Sequence, residues 1–180
     1  IGGGQMAEAL IRGLLTARLA AAKQLAVLEP DEHRCRQLET EYSIHCTREA
    51  KELCRRSRVL VAAVKPQLAD QALGACNPFV TDDHLVVSIM AGVSLADLAD
   101  IFTEPVRLIR VMHNTPALVL AAASAFSANE RATAADRQVI DCATVIRTGQ
   151  AGRSIVVTLD PTATPSTIEA VRAEVAGTGA

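Results

Sequence analysis

Aromatic side chains are scarce in this chain of 180 residues, which has no tryptophan, one tyrosine and three phenylalanines. That leaves little with which to stack nucleic-acid bases or sugars. It also hands the core to aliphatic residues and alanine, in a sequence that is 49% hydrophobic. Charge of one sign is lacking too: 18 Lys and Arg face 20 Asp and Glu, a net charge of −2. Such a balance gives no electrostatic footprint for nucleic acid or an anionic membrane surface. No apolar run approaches the length of a membrane span. No basic-then-apolar leader precedes the first glycines, so nothing argues for secretion and a cytoplasmic protein is expected. The five cysteines, Cys35, Cys46, Cys54, Cys76 and Cys142, include no CxxC pair. They read as buried or free thiols of a reducing compartment rather than a disulfide frame or a zinc site. The phosphate-binding pattern G-x-x-x-x-G-K-[ST] is missing, which excludes a P-loop.

What is present is an alternation of strands and helices. Residues 6–19 carry Met6, Leu10, Leu14 and Leu15 at helical spacing. The run 25–28 (LAVL) is a short strand stopped by Pro30. Residues 31–41 read as a helix, 43–46 as a marginal strand, and 47–56 as a solvated helix with Thr47 as its N-cap. Continuous apolar runs at 58–64 and 84–92 and the strand at 106–112 are interleaved with helices at 68–76 and 94–102. Ser94 and Asp97 have the spacing of a capping box, as do Thr133 and Asp136. Further strands are expected at 121–129 and 154–157, and a helix at 164–175 with Thr164 as cap and Pro165 at its first position. Strands that are apolar throughout are buried on both faces, and helices between them are parallel crossovers. The expected fold is α/β: a doubly wound, mostly parallel Rossmann-type sheet that lacks most of its first strand. The division expected is a dinucleotide-binding domain over 1–163, with 164–180 as a linker or first helix leading to a further domain.

The chain begins IGGGQMAEAL. Gly2, Gly4 and Ala7 fit G-x-G-x-x-[G/A] and run straight into a helix. In that pattern one glycine makes a tight turn, the next admits a pyrophosphate to the backbone, and the small third residue allows close packing of helix and strand. The helix N-terminus then faces the phosphates. Glu29, at the end of the next strand, stands where a ribose-binding acid belongs. The bland alternative is a structural turn. Only Ile1 of the central strand precedes the glycines, and we expect that strand to be missing from the sequence.

The other strand ends, VKPQ (64–67), MAGVS (90–94) and VMHNTPALV (111–119), fall on the carboxyl edge of the sheet, where ligands bind in open α/β folds. Ala91 and Gly92 can let a nicotinamide lie near the backbone, and Asn114 and Thr115 are polar groups on the same edge. Each segment alone reads first as a plain strand stop. His113 is a candidate proton donor or a packed variant. Lys65 is an acid, a phosphate contact, or simply a lysine before a proline at the start of a helix. His33, His45 and His84 have no partners at metal-ligand spacing, and no metal is expected.

Together GGGQMAEALIRGLL, AAVKPQ, SIMAGVSLADL and RVMHNTPALV resemble the pyrroline-5-carboxylate reductase family, in family order across residues 1–120. A weaker resemblance continues through ADR at 135–137, GRSIVV at 152–157 and IEAVRAEVAGTGA at 168–180. The resemblance implies hydride transfer from NADP(H) or NAD(H) to the C=N carbon of 1-pyrroline-5-carboxylate, giving proline. It also implies cofactor contacts from Gly2, Gly3, Gly4, Gln5, Met6 and Ala7, from Glu29 and Pro30, from Ala63, Val64, Lys65 and Pro66, from Ala91 and Gly92, and from Asn114, Thr115 and Pro116. A small-molecule substrate, no nucleic acid, no membrane, and a homo-oligomer formed through a helical domain outside this chain follow from the same likeness. The sequence departs from the family at Ala50, where Asn is frequent, at His113, where Pro or Thr is usual, at Leu120 and Ala121, where glycine is frequent, and at Ala180, where Pro is expected.

Cofactor choice stays open. Glu29 would accept a hydrogen bond from a ribose 2′-hydroxyl and repel a 2′-phosphate, whereas Arg34, with His33, would compensate and admit NADP(H). Two other functions compete: a non-catalytic dinucleotide-binding module or truncated remnant, and another reductase with a similar first domain acting on a β-hydroxyacid or a deazaflavin. The four sequence blocks argue against the last.

Overall fold

A computed structural model describes residues 1–113, 124–137 and 156–158. The elements follow the expected alternation: α1 (Gln5–Thr16), β1 (Ala26–Leu28), α2 (Glu32–Tyr42), β2 (His45–Thr47), α3 (Ala50–Arg56), β3 (Val59–Ala62), α4 (Ala69–Cys76), β4 (Leu85–Ser88), α5 (Leu95–Ile101), β5 (Arg107–His113), β6 (Ser124–Ala128) and β7 (Val156–Thr158). The helix expected at 164–175 lies outside the described residues, as does most of the helix expected after Thr133.

The strands form a parallel pair, β1 with β2, and a five-stranded sheet ordered β3-β4-β5-β6-β7. Pairing is parallel from β3 to β5 and between β6 and β7, and antiparallel between β5 and β6. Ile1 joins the two sheets. Its nitrogen donates to the Val61 carbonyl at 2.8 Å, and its carbonyl accepts from Ala63 N–H at 2.9 Å. Gly2 N–H donates to the Leu28 carbonyl at 2.9 Å. One residue thus occupies a strand position between β1 and β3. Behind it lies a cavity of about 480 Å³ lined by Leu10, Ile11 and Leu14 of α1, Val27 of β1 and Val59 and Val61 of β3, among others.

Both faces of β4 are covered, which is why it is apolar at successive positions. Leu60, Val86 and Leu108 pack with Leu53, Leu73 and Leu98 from the helices on one side. Leu85, Val87, Ile109 and Val111 pack with Phe126 and Ala132 on the other. A third cluster, Ile11, Val27, Leu38 and Ile44, binds α1 and α2 to β1.

Local signals hold at the helix ends. Ser94 accepts from Asp97 N–H, and Asp97 accepts from Ser94 N–H. Thr133 and Asp136 exchange the same reciprocal bonds. Thr47 is not the N-cap of α3. It ends β2, donates its hydroxyl to Glu52 at 2.6 Å and accepts from Glu49 N–H, so the helix starts at Ala50 after an N-cap at Glu49. The cysteine reading is corrected as well: Cys35 of α2 and Cys46 of β2 form a disulfide across a Cα–Cα distance of 5.5 Å. Packing of α2 on β2 through Leu38 and Ile44 brings the two together. Cys54 and Cys76 are buried free thiols.

Candidate functional site

The carboxyl ends of the parallel strands converge on the glycine turn. Gly2 hangs from the end of β1 through Leu28, Ile1 holds Ala63 beyond the end of β3, and Ile89 N–H beyond β4 donates to the Ala62 carbonyl at 3.1 Å. The three glycines do three different things. Gly2 has φ +88°, and a Cβ there would lie 2.8 Å from Val64 Cγ1 and 3.1 Å from the Ala63 carbonyl oxygen. A Cβ at Gly3 would lie 3.0 Å from both Glu29 Oε2 and Leu38 Cδ1. A Cβ at Gly4 would meet nothing within 4 Å, and Gly4 has ordinary extended angles, φ −69° and ψ −176°.

Gly4 is the N-cap of α1, and no side chain caps that helix. The first-turn N–H groups therefore open into free space above Gly4, with the positive end of the helix dipole behind them. Ala7 is buried at 7% exposure under this turn, while Gln5 and Met6 are exposed. The open space, the free donors and the small residues fit a pyrophosphate, and on that ground the residues fit a dinucleotide.

Glu29 lies against the turn. Its Oε2 accepts from Gly3 N–H at 2.7 Å and its Oε1 from Asp31 N–H at 3.1 Å. Each carboxylate oxygen keeps a lone pair for a ligand hydroxyl. Arg34 of α2 holds the same residue through the next peptide group, donating Nε to the Gly3 carbonyl at 2.6 Å. Its Nη1 donates to Gln37, and its Nη2 pairs with Glu8 of α1. Tyr42 donates its hydroxyl to the other Glu8 oxygen at 2.8 Å. The bond from Arg34, followed by that from Tyr42, holds the Glu8 carboxyl below its ordinary range. Burial, reinforced by Glu8, pushes the Tyr42 hydroxyl up to about 12.

The remaining expected residues divide. Pro30 is exposed beside Glu29, and Ala63 and Val64 sit under the glycine turn. Lys65 is exposed and caps a single 3₁₀ turn whose first residue is Pro66. Ala91 and Gly92 form an exposed turn after β4, with Gly92 at φ +76°. His113 ends β5, paired with Ser124 across the antiparallel register. Asn114, Thr115 and Pro116 lie outside the described residues. His84 is buried and bonded to Thr81 and the Cys54 carbonyl, and His45 pairs with Glu52. Among the described residues no group of three or more His, Cys, Asp and Glu side chains is placed to hold a metal. Glu8 and Tyr42 escaped the sequence reading. Their roles depend on how α1 crosses α2, for which local spacing carries no signal.

The order β2-β1-(Ile1)-β3-β4-β5, with a glycine turn feeding α1 at the strands' carboxyl edge, defines a Rossmann-type α/β domain. Residues 1–92 match the family described as NADP oxidoreductase, coenzyme F420-dependent, and the chain belongs to that family. It is similar to the pyrroline-5-carboxylate reductase of Methanosarcina acetivorans, with 32% identity over 136 residues covering 76% of this chain and 50% of that protein. The Synechocystis enzyme of that name is 38% identical over 135 residues, covering 72% of this chain and 48% of that one. The chain thus spans about half the length of these relatives. Among solved structures, a pyrroline-5-carboxylate reductase from Coxiella burnetii superposes with a TM-score of 0.77 at 24% identity, over 96% of this chain and 60% of that one. The Plasmodium falciparum reductase with NADP bound gives 0.71 at 23% identity, over 88% and 55%. These two likenesses establish the fold alone.

Proposed function

We propose that this chain is the dinucleotide-binding part of an NAD(P)H-dependent reductase that converts 1-pyrroline-5-carboxylate to proline. The observation that carries the reading is the open, uncapped N-terminus of α1 above Gly4, placed beside Glu29 in a chain whose relatives bear that enzyme's name. Gly4 and the first turn of α1, through Gln5, Met6 and Ala7, hold the pyrophosphate. Gly2 and Gly3 shape the turn beneath it. Glu29 and Pro30 border the adenosine ribose. Ala63, Val64, Lys65 and Pro66 flank the adenosine side, Ala91 and Gly92 the nicotinamide side, and Asn114, Thr115 and Pro116 its floor. Family membership and the NADP-bound relative support NADP(H), and Glu29 supports NAD(H).

The bound cofactor supplies a hydride to the imine carbon, and the already protonated imine nitrogen becomes the amine of proline. No carboxylate pair or thiol nucleophile is required of the protein, only positioning and electrostatics. A small imino acid offers few groups to one open face, so in this reading a helical domain following residues 164–180 completes the substrate site; by likeness to the named relatives that domain also forms a homo-oligomer, and the enzyme is cytoplasmic.

The test pairs binding with turnover. NADH and NADPH titrations, followed by nicotinamide fluorescence, should saturate on the 180-residue chain. Oxidation of the cofactor by 1-pyrroline-5-carboxylate should be close to background in this chain and restored when the chain is extended through a helical domain of the relatives. Saturable binding with no turnover in the extended protein would make the chain a non-catalytic dinucleotide-binding module.

A further inference from the structure

Each nitrogen of the Arg34 guanidinium has a partner inside the protein, which uses three of its five N–H groups. Nε donates to the Gly3 carbonyl, Nη1 to Gln37, and Nη2 to Glu8, and the side chain is only 18% exposed. Glu8 is itself held in place, because Tyr42 takes its second oxygen and its side chain is 23% exposed. The two peptide groups flanking Gly3 are therefore both held, the Gly3 N–H by Glu29 and the Gly3 carbonyl by Arg34. In folds of this class the acid at the end of the second strand meets the ribose 2′-hydroxyl, and an arginine beside it accepts a 2′-phosphate. Here the arginine sits beside that acid, and its part-buried Nη2 is tied to the Glu8 carboxylate, whereas Nη1 meets only the neutral Gln37 at the surface.

We infer that Glu8 is a specificity-positioning residue, which withholds the Nη2 arm of Arg34 from the cofactor's 2′ position and so sets the balance between NADPH and NADH. The inference rests on the cofactor placement proposed above. The electrostatics run in one direction. With Glu8 ionised, a 2′-phosphate arriving beside Arg34 competes with an existing ion pair and approaches two carboxylates, Glu8 and Glu29. With Glu8 neutral, the Nη2 N–H groups lose their charged partner and are free for the phosphate without the guanidinium moving, so Nε stays on the Gly3 carbonyl and the glycine turn keeps its shape. A ribose 2′-hydroxyl carries no charge and is nearly indifferent to the change.

The experiment measures dissociation constants of NADH and NADPH by nicotinamide fluorescence on the 180-residue chain, for the unmodified protein, Glu8→Gln, Glu8→Ala and the double variant Glu8→Gln/Arg34→Ala. Both single variants should tighten NADPH relative to NADH by roughly tenfold, as expected for one charge-assisted hydrogen bond gained. NADH affinity should stay within about twofold of the unmodified protein. The gain should shrink as salt is raised from 50 to 500 mM, because the new contact is ionic and partly exposed. The double variant should lose it. A merely structural role for Glu8 would move both cofactors together. An unchanged NADPH/NADH ratio in both single variants overturns the inference, and so does a gain that survives in the double variant, since it would then be a bulk charge effect not routed through Arg34. Failure of the unmodified chain to bind either cofactor overturns the site assignment and this inference with it, whereas saturable binding with an unmoved ratio overturns the inference alone.

Discussion

At the scale of single residues, three consecutive glycines meet three separate demands. Gly2 answers a backbone demand: its φ of +88° and its contact with Val64 and the Ala63 carbonyl leave no room for a side chain. Gly4 answers a ligand demand, with relaxed angles and empty space above it. The two predict opposite phenotypes. Gly2→Ala should destabilise the fold by roughly 1–3 kcal/mol, through strain and a backbone clash. Gly4→Val should cost only about 0.5–1 kcal/mol, as a poorer N-cap at relaxed angles, yet weaken NADH or NADPH binding by roughly tenfold or more by filling the pyrophosphate's approach. Urea unfolding and fluorescence titration on both variants separate the two effects. A Gly4→Val protein that binds cofactor normally would remove the pyrophosphate from that turn. The motif spacing brings Gly2 and Gly4 to notice, but it does not say which glycine serves folding and which serves binding. That distinction appears only once β3 packs beneath the turn.

At the scale of elements, the apolar runs at 58–64 and 84–92 made β3 and β4 legible: β4 is buried on both faces and carries no polar interruption before Ser88, while β3 keeps its apolar run although Val59 and Val61 line the cavity. Ser94 with Asp97 and Thr133 with Asp136 marked helix starts for the same local reason. What spacing could not show was direction and partnership across the chain. The antiparallel turn of β6 against β5, the Cys35–Cys46 bridge and the Glu8–Arg34–Tyr42 cluster all join segments that meet only after folding. Asp136 adds such a link to a local one. Burial at 5% exposure works to raise its pKa, but the Thr133 N–H and hydroxyl and the Arg107 guanidinium outweigh this and hold it below the usual 3.8. A depressed carboxyl pKa adds stability that is complete above the unfolded-state value and is lost as pH falls through the folded-state value. Asp136→Asn should therefore cost roughly 1–3 kcal/mol near neutral pH. That cost should shrink steadily below pH 3.8. Urea midpoints across the range test it, and a difference independent of pH would mean that Asp136 acts through packing rather than charge.

At the scale of the whole molecule, the question is what makes two sheets one. Odd-numbered β1 residues bond β2, since Leu25 accepts from His45 and Glu29 donates to Thr47. The even ones face the other way, where Leu28 meets Gly2. On β3 the parity is reversed: Arg58 and Ala62 bond the β4 side, while Val61 and Ala63 bond Ile1. Continuing the register backwards from Ile1, both backbone groups of Ala26, the Leu28 N–H, both backbone groups of Val59 and the Val61 N–H point into the gap between the sheets. Its walls are apolar, and Val59 stands 39% exposed at its edge. One further parallel strand continuous with Ile1 would satisfy these groups from both sides, because neighbouring strands lie about 4.8 Å apart. Fusing a five-residue apolar extension, such as Val-Ile-Val-Ile-Val, directly ahead of Ile1 should then raise the thermal midpoint by roughly 5 °C or more. It should also tighten cofactor binding, since the glycine turn hangs from Ile1 at its junction with both edges. A Gly-Ser extension of equal length should do neither, because it brings no side chains to fill the apolar walls. Equal midpoints for the two extensions, measured by circular dichroism, would mean that apolar side chains placed in the gap add nothing to stability.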